Sequence, residues 1–173
     1  MKKAVIINGG NTRNSRLTAI QQKVEAFFEN EAIDFQSIYV HELPAEDLIK
    51  ANFYSEEIKR VNQQVDQSQI VVILTPIYKA SYTGILKTYL DLLPQKALEG
   101  KIILPLAVGG SAFHLLAIEY ALKPVLSVLG ATEILNTVYI IDKQIERLAT
   151  DGFQIDTEAE ERLTTELEKL LAR

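Results

Sequence analysis

Runs of consecutive apolar residues alternate along this chain with stretches in which apolar residues return every third or fourth position. The first kind predicts buried strands and the second amphipathic helices. Ala4–Asn8, a segment within Ile33–Val40, Ile70–Leu74, Ile102–Val108 and Glu133–Ile141 read as strands. Leu17, Ile20, Val24, Phe27 and Phe28 mark the inward face of a first helix. Ile58, Val61 and Val65 mark another, behind Ser55-Glu56-Glu57, which has the form of an N-cap followed by an acidic first turn. Apolar helices are expected over Ile85–Leu93 and Phe113–Leu129, the latter kinked or split by Pro124. A last helix is expected over Thr157–Ala172, with Leu163, Leu167, Leu170 and Leu171 inward and capping-box spacing between Thr157 and Glu160. Pro105 inside the fourth strand predicts a bulge or a shifted boundary. His41–Tyr54 is a connection in which His41 is expected to be exposed, and Asp142–Asp156 is a loop or short helix without an assigned role.

Strands alternating with helices imply an α/β fold in which a doubly wound, five-stranded parallel sheet carries helices on both faces. With no repeat or linker in view, residues 1–173 form one domain. In the strand order 2-1-3-4-5, the loops after strands one and three face each other at the switch point, where open α/β sheets bind ligands. The first loop reads Gly9-Gly10-Asn11-Thr12-Arg13-Asn14-Ser15-Arg16 and runs into a helix. Its backbone N–H groups, its hydroxyls at Thr12 and Ser15, and the guanidinium groups of Arg13 and Arg16 suit an anion at the helix N-terminus. The loop lacks the Gly-Lys-Ser/Thr ending of a triphosphate loop and the G-x-G-x-x-G of a dinucleotide loop, which favours a monophosphate. The bland alternative is a glycine turn with solvated arginines. The second loop places Tyr78, Lys79, Ser81, Tyr82 and Thr83 between Pro76 and Gly84, a mix suited to a planar heteroaromatic ligand. An ordinary strand-to-helix turn with exposed tyrosines is the competing reading. Together the two loops fit a flavin mononucleotide.

Composition narrows the field further. Hydrophobic residues make up 47% of 173 and charged residues 24%, and the formal net charge is −5. The negative balance argues against a general nucleic-acid or anionic-membrane surface. With no cysteine there is no disulfide, thiolate metal site or cysteine nucleophile, a composition compatible with the cytoplasm. His41 and His114 lack metal-ligand spacing, so no metal is expected. No apolar run is long enough to span a bilayer, and the N-terminus reads as a strand rather than a signal peptide.

From His114 to Leu129 apolar residues occupy nearly every angle of the helix, and Ile85–Leu93 is similarly rich. A helix on a sheet needs one apolar stripe, and a surplus points to an interface. Homo-oligomerisation through Leu86, Leu90, Leu116 and Tyr120 is therefore expected, against the alternative of deep burial within one domain.

The motifs TPIYKASYTGILKTYLDLLP and LPLAVGGSAFHLLAIEYALKPVL resemble the NADPH-dependent FMN reductases, and most of all the reductases of alkanesulfonate monooxygenase systems. The likeness runs from Val5 to about Tyr139. It implies a flavodoxin-like fold, hydride transfer from NADPH or NADH to FMN, and delivery of reduced flavin to a monooxygenase by a homodimer or homotetramer. By position it implies that Ser15, Arg16 and Thr18 hold the FMN phosphate. Pro76, Ile77, Tyr78 and Lys79 would flank the ribityl chain and ring with Ser81 nearby, and Gly109, Gly110 and Ser111 would line the ring's other edge. Tyr120 matches a tyrosine that accompanies a π-helical insertion at the subunit interface. The phosphate loop departs from the family's G-S-P-R, with Gly9-Gly10-Asn11-Thr12 in its place. Hydride transfer is carried by the cofactors, so no side-chain acid–base dyad is required. Two other readings keep the fold: an FMN-retaining reductase of quinones or azo compounds, and a flavodoxin-like electron carrier without a nicotinamide site.

Overall fold

Period-two alternation along the strands sorts their side chains into two cores. Ala4, Ile6, Ile70, Val72 and Leu74 face one side of the sheet; Val5, Ile7, Val71 and Ile73 face the other. Each of these valine, leucine and isoleucine side chains, fully withdrawn from water, contributes about 1.5–3 kcal/mol. Both faces of the strands are thus apolar, as a parallel sheet covered by helices requires. The computed structural model describes residues 2–149 and 152–172.

The sheet is built from β1 (Lys3–Asn8), β2 (Asp34–Tyr39), β3 (Ile70–Tyr78), β5 (Ile102–Gly109) and a broken fifth strand, β6 (Glu133–Ile134) with β7 (Val138–Ile141). All these pairings are parallel, in the spatial order β2-β1-β3-β5-β6/β7, so the expected 2-1-3-4-5 arrangement of a flavodoxin-like fold is present. The helices α1 (Arg16–Asn30) and α6 (Thr157–Glu168) supply Leu17, Ile20, Val24, Phe28, Leu163 and Leu167 to one core. The other face is covered by α2 (Ala45–Ile49), α3 (Glu56–Asp66), α4 (Gly84–Leu90) and α5 (Lys123–Val128). As expected, Ser55 caps α3, its Oγ accepting the Ile58 N–H at 3.4 Å. Among the described residues no helix is long and apolar enough to cross a membrane.

Several expectations are corrected. Strand β3 does not stop at Leu74 but continues to Tyr78 and turns back as β4 (Ser81–Tyr82), so the second loop is a hairpin. Its two turn residues, Lys79 and Ala80, both have positive φ (50° and 62°), as a tight two-residue hairpin demands. β5 has no bulge at Pro105; it is the fifth strand that breaks, between Ile134 and Val138. Ile102 donates to Gln69 O on one side, while Ile103 O accepts from Leu135 on the other. Alternation then turns Pro105, which has no N–H to give, toward the broken neighbour.

The expected helix over Phe113–Leu129 is three pieces: a 3₁₀ turn at Ala112–His114, a π turn at Ile118–Leu122, and α5. Lys123 N–H bonds back five residues to Ile118 O, and Pro124 follows at the start of α5, where its missing donor costs least. Asp156 rather than Thr157 caps α6, its Oδ1 accepting the Ala159 N–H at 2.8 Å. Leu171 is 39% exposed. Within the segment expected as a loop or short helix, whose residues 150 and 151 lie outside the described residues, β8 (Ile145–Arg147) pairs antiparallel with β9 (Phe153–Ile155). Leu86 and Leu90, expected at an interface, are 0% and 1% exposed: α4 is short and turns them into the chain's own core. Leu116 and Tyr120 stand out at 54% and 78%.

Candidate functional site

β1 ends on Asn8, a buried residue whose amide shapes the loop that follows. Its Oδ1 accepts the Gly10 N–H at 2.8 Å and its Nδ2 donates to Gln21 Oε1 at 2.5 Å. Gly9 is held from the far side of the crevice. Its N–H donates to Leu74 O at 2.8 Å, and its carbonyl accepts from Thr83 Oγ1 at 2.6 Å. A Cβ at Gly9 would lie 2.7 Å from Leu86 Cβ, so only glycine fits this close approach. Thr83 also caps α4 by accepting the Leu86 N–H at 3.3 Å. The two switch-point loops are therefore tied together through one hydroxyl. His41, expected to be exposed and idle, is half-buried against the same loop, with Nδ1 donating to Gly10 O at 3.1 Å.

At the start of α1, Ser15 occupies the cap position with extended backbone, yet its side chain caps nothing. Ser15 Oγ is buried and has no hydrogen-bond partner among the described residues. A buried unpaired hydroxyl is costly, and Ser15 is one of the residues that line a cavity of about 300 Å³. Arg16 also lines it, its Nε donating to Ile145 O at 3.0 Å. The opposite wall is Pro76, Ile77 and Tyr78 from β3 with Gly109 and Gly110 from the end of β5, and a third side is closed by Asp142 and Arg147. Small-ligand sites enclose roughly 300–1,000 Å³, so the cavity is at the small end of that range.

Of the residues expected to bind a cofactor, the structure brings Thr12, Ser15, Arg16, Pro76, Ile77, Tyr78, Gly109 and Gly110 together around this cavity. It does not bring Arg13, Thr18, Lys79, Ser81 or Ser111 into the lining. Arg13 turns outward: Nε and Nη2 donate to the two oxygens of Glu42 at 2.5 and 2.9 Å, and its guanidinium lies 3.7 Å from the centre of the Tyr39 ring. The Glu42 hydrogen bond raises the Arg13 pKa and in return holds the Glu42 carboxyl below its ordinary value. Thr18 Oγ1 donates to Arg13 O. Lys79 sits at the hairpin turn, and Ser81 pairs with Tyr78 within it. Ser111 Oγ accepts the Phe113 N–H at 3.2 Å, while its carbonyl accepts from the Tyr139 hydroxyl at 2.8 Å. That tyrosine explains Gly109, where a Cβ would lie 1.9 Å from the Tyr139 hydroxyl oxygen. Burial, and then the Asp142 carboxylate, push the Tyr139 pKa up. Asp142 and Arg147 escaped the reading of the sequence. The signal was positional, because they follow the fifth strand at the same sheet edge as the other loops.

A helix N-terminus, a buried hydroxyl without a partner and a guanidinium on one wall, with a half-exposed tyrosine and two glycines across from them, fit a phosphorylated ligand with a flat ring. Comparison with known proteins agrees. The family model described as NADPH-dependent FMN reductase matches residues 2–146. An FMN reductase (NADPH) of Pseudomonas putida is 41% identical over 165 residues, 95% of this chain and 84% of that protein. Another FMN reductase (NADPH), from Escherichia coli (strain K12), is 54% identical over 100 residues, 58% of this chain and 52% of that one. Among solved structures, the apo form of an NADH:FMN oxidoreductase superposes with a TM-score of 0.87 at 29% identity, covering 98% of this chain and 88% of its own. Matched over most of its length by the model and by the Pseudomonas protein, this chain belongs to the NADPH-dependent FMN reductase family.

Proposed function

We propose that this chain transfers a hydride from NADPH or NADH to FMN and supplies the reduced flavin to a flavin-dependent monooxygenase, with sulfonate desulfonation as the reaction it would feed. The observation that carries the reading is Ser15: a buried, unpartnered hydroxyl at a helix N-terminus beside Arg16, in a cavity at the switch point. When bound, FMN supplies the redox chemistry, accepting hydride from a nicotinamide.

The chain's own part is binding and alignment. Ser15 and Arg16, with the N–H groups that open α1, would hold a phosphate. Thr83 keeps the phosphate loop at a set distance from the hairpin that carries Tyr78. The bare, exposed backbone of Gly110 lets a ring edge approach closely where a side chain would block it. Catalytic power then comes from holding two rings in register, which needs no side-chain base. We further assign the chain to the cytoplasm, where reduced nicotinamide is at hand, and to a homodimer or homotetramer. Phe113, Leu116, Tyr120 and Val128, 54–96% exposed on the segment around the π turn, support the assembly.

The test is oxidation of NADPH and of NADH by the purified protein, followed by nicotinamide absorbance with free FMN added and then omitted. Turnover that scales with added FMN supports the proposal. Turnover only with a quinone or azo acceptor would replace it with an FMN-retaining reductase, and no oxidation at all would leave an electron carrier.

A further inference from the structure

The hairpin β8–β9 was given no role by the sequence, and it carries a second cation to the cavity. Arg147 ends β8 and lines the cavity together with Ser15 and Arg16. Its guanidinium is steadied from behind, 4.9 Å from the centre of the Phe153 ring, and Phe153 is its partner in the hairpin register. The hairpin is in turn fastened to the phosphate loop, because Arg16 Nε donates to Ile145 O two residues before Arg147.

Charge balance gives this arrangement a purpose. A phosphate monoester carries roughly −1.5 to −2 at neutral pH. Of the two arginines in the first loop, Arg13 is committed to Glu42 and Tyr39, and only Arg16 reaches the cavity. One guanidinium plus the roughly half charge of a helix N-terminus falls short of a dianion. Asp142 in the same lining widens the deficit. From this we infer that Arg147 is a phosphate-binding residue, the second guanidinium of a two-sided clamp whose first is Arg16. The inference rests on the reading of this cavity as the FMN site, and Arg147 lies just past the residues that the family model matches.

The clamp acts on the phosphate and on no other part of the flavin, so FMN must be compared with riboflavin, which is the same molecule without it. The full chain, as wild type, Arg147→Ala and Arg147→Lys, is titrated into each flavin and followed by fluorescence quenching, and its ligand-free melting is recorded. Arg147→Ala is expected to weaken FMN binding about ten- to a hundredfold. Riboflavin affinity should stay as in wild type, ligand-free melting should fall by no more than the loss of the Phe153 contact brings, and Arg147→Lys should recover part of the FMN loss. An alanine variant that binds FMN as wild type does, or that loses FMN and riboflavin alike, overturns the assignment. A wild-type chain that binds riboflavin as well as FMN overturns the phosphate site itself, and the proposed function with it.

Discussion

Thr83→Val isolates the hydroxyl that joins the two loops. Thr83 is 2% exposed, and valine has nearly its shape, so the packing survives and only hydrogen bonding is lost. Two groups then lose their partner inside the chain: the Gly9 carbonyl, accepting at 2.6 Å, and the Leu86 N–H, donating at 3.3 Å. A buried polar group left without a partner costs about 1–3 kcal/mol, and the longer Leu86 bond is the weaker of the two. The sum is on the order of 2–4 kcal/mol. At about 2–4 °C per kcal/mol for a chain of this length, the melting temperature should fall by roughly 5–15 °C. Thr83→Ser keeps the hydroxyl and gives up one methyl group, worth about 1 kcal/mol. Urea unfolding followed by far-UV circular dichroism compares the two variants, and an FMN titration shows whether the phosphate loop loosens. Equal stability of the valine and serine variants would refute the role given to the Thr83 hydroxyl.

Three further outcomes are expected. Ser15→Ala should leave the ligand-free protein at least as stable as wild type, because the hydroxyl it removes is buried and unpaired, while weakening FMN binding about tenfold; melting and titration of one preparation read both. Glu42, held below its ordinary carboxyl value of 4.5 by Arg13, contributes stability above that pH and loses it as pH falls through the lowered value. Glu42→Gln should therefore flatten the acid end of a melting-temperature profile between pH 7 and pH 3, by less than about 1 kcal/mol since the pair is exposed. Leu86→Ala should cost about 2–5 kcal/mol of stability without changing the oligomer, whereas Tyr120→Ala should change elution on gel filtration and leave stability nearly intact. Altered assembly in the first, or a collapse of stability in the second, would reverse those assignments.

The strands and the place of both loops were legible because buried parallel strands are largely continuous apolar runs that end at glycine or polar residues, but the run of β3 past Leu74 through Pro76 into a hairpin was not. The hairpin β8–β9 was not, since three-residue strands such as Ile145–Arg147 are too short to show alternation. Nor could the sequence tell which loop arginine faces the cavity. The carboxylate that takes Arg13 comes from 29 residues away, past a whole helix and strand. Counting apolar residues also misplaced Leu86 and Leu90. Their number marks a surplus over one stripe, but whether it is met by the sheet and neighbouring helices or by another molecule is decided in three dimensions.

The break in the fifth strand bears on how this protein behaves when crowded. β6 and β7 form one border of the sheet, and an open border is a template on which a second molecule can add a strand. Here an incoming strand would meet two residues of ladder, an interruption beside Pro105, and then four residues whose outward groups are partly taken, Tyr139 O by Arg162 Nη1 at 3.0 Å and Ile141 N–H by Gln144 Oε1 at 3.1 Å. Neither run reaches the five to six residues of a typical strand. The irregularity that accommodates a proline in the neighbouring strand thus denies edge-to-edge polymerisation a continuous purchase.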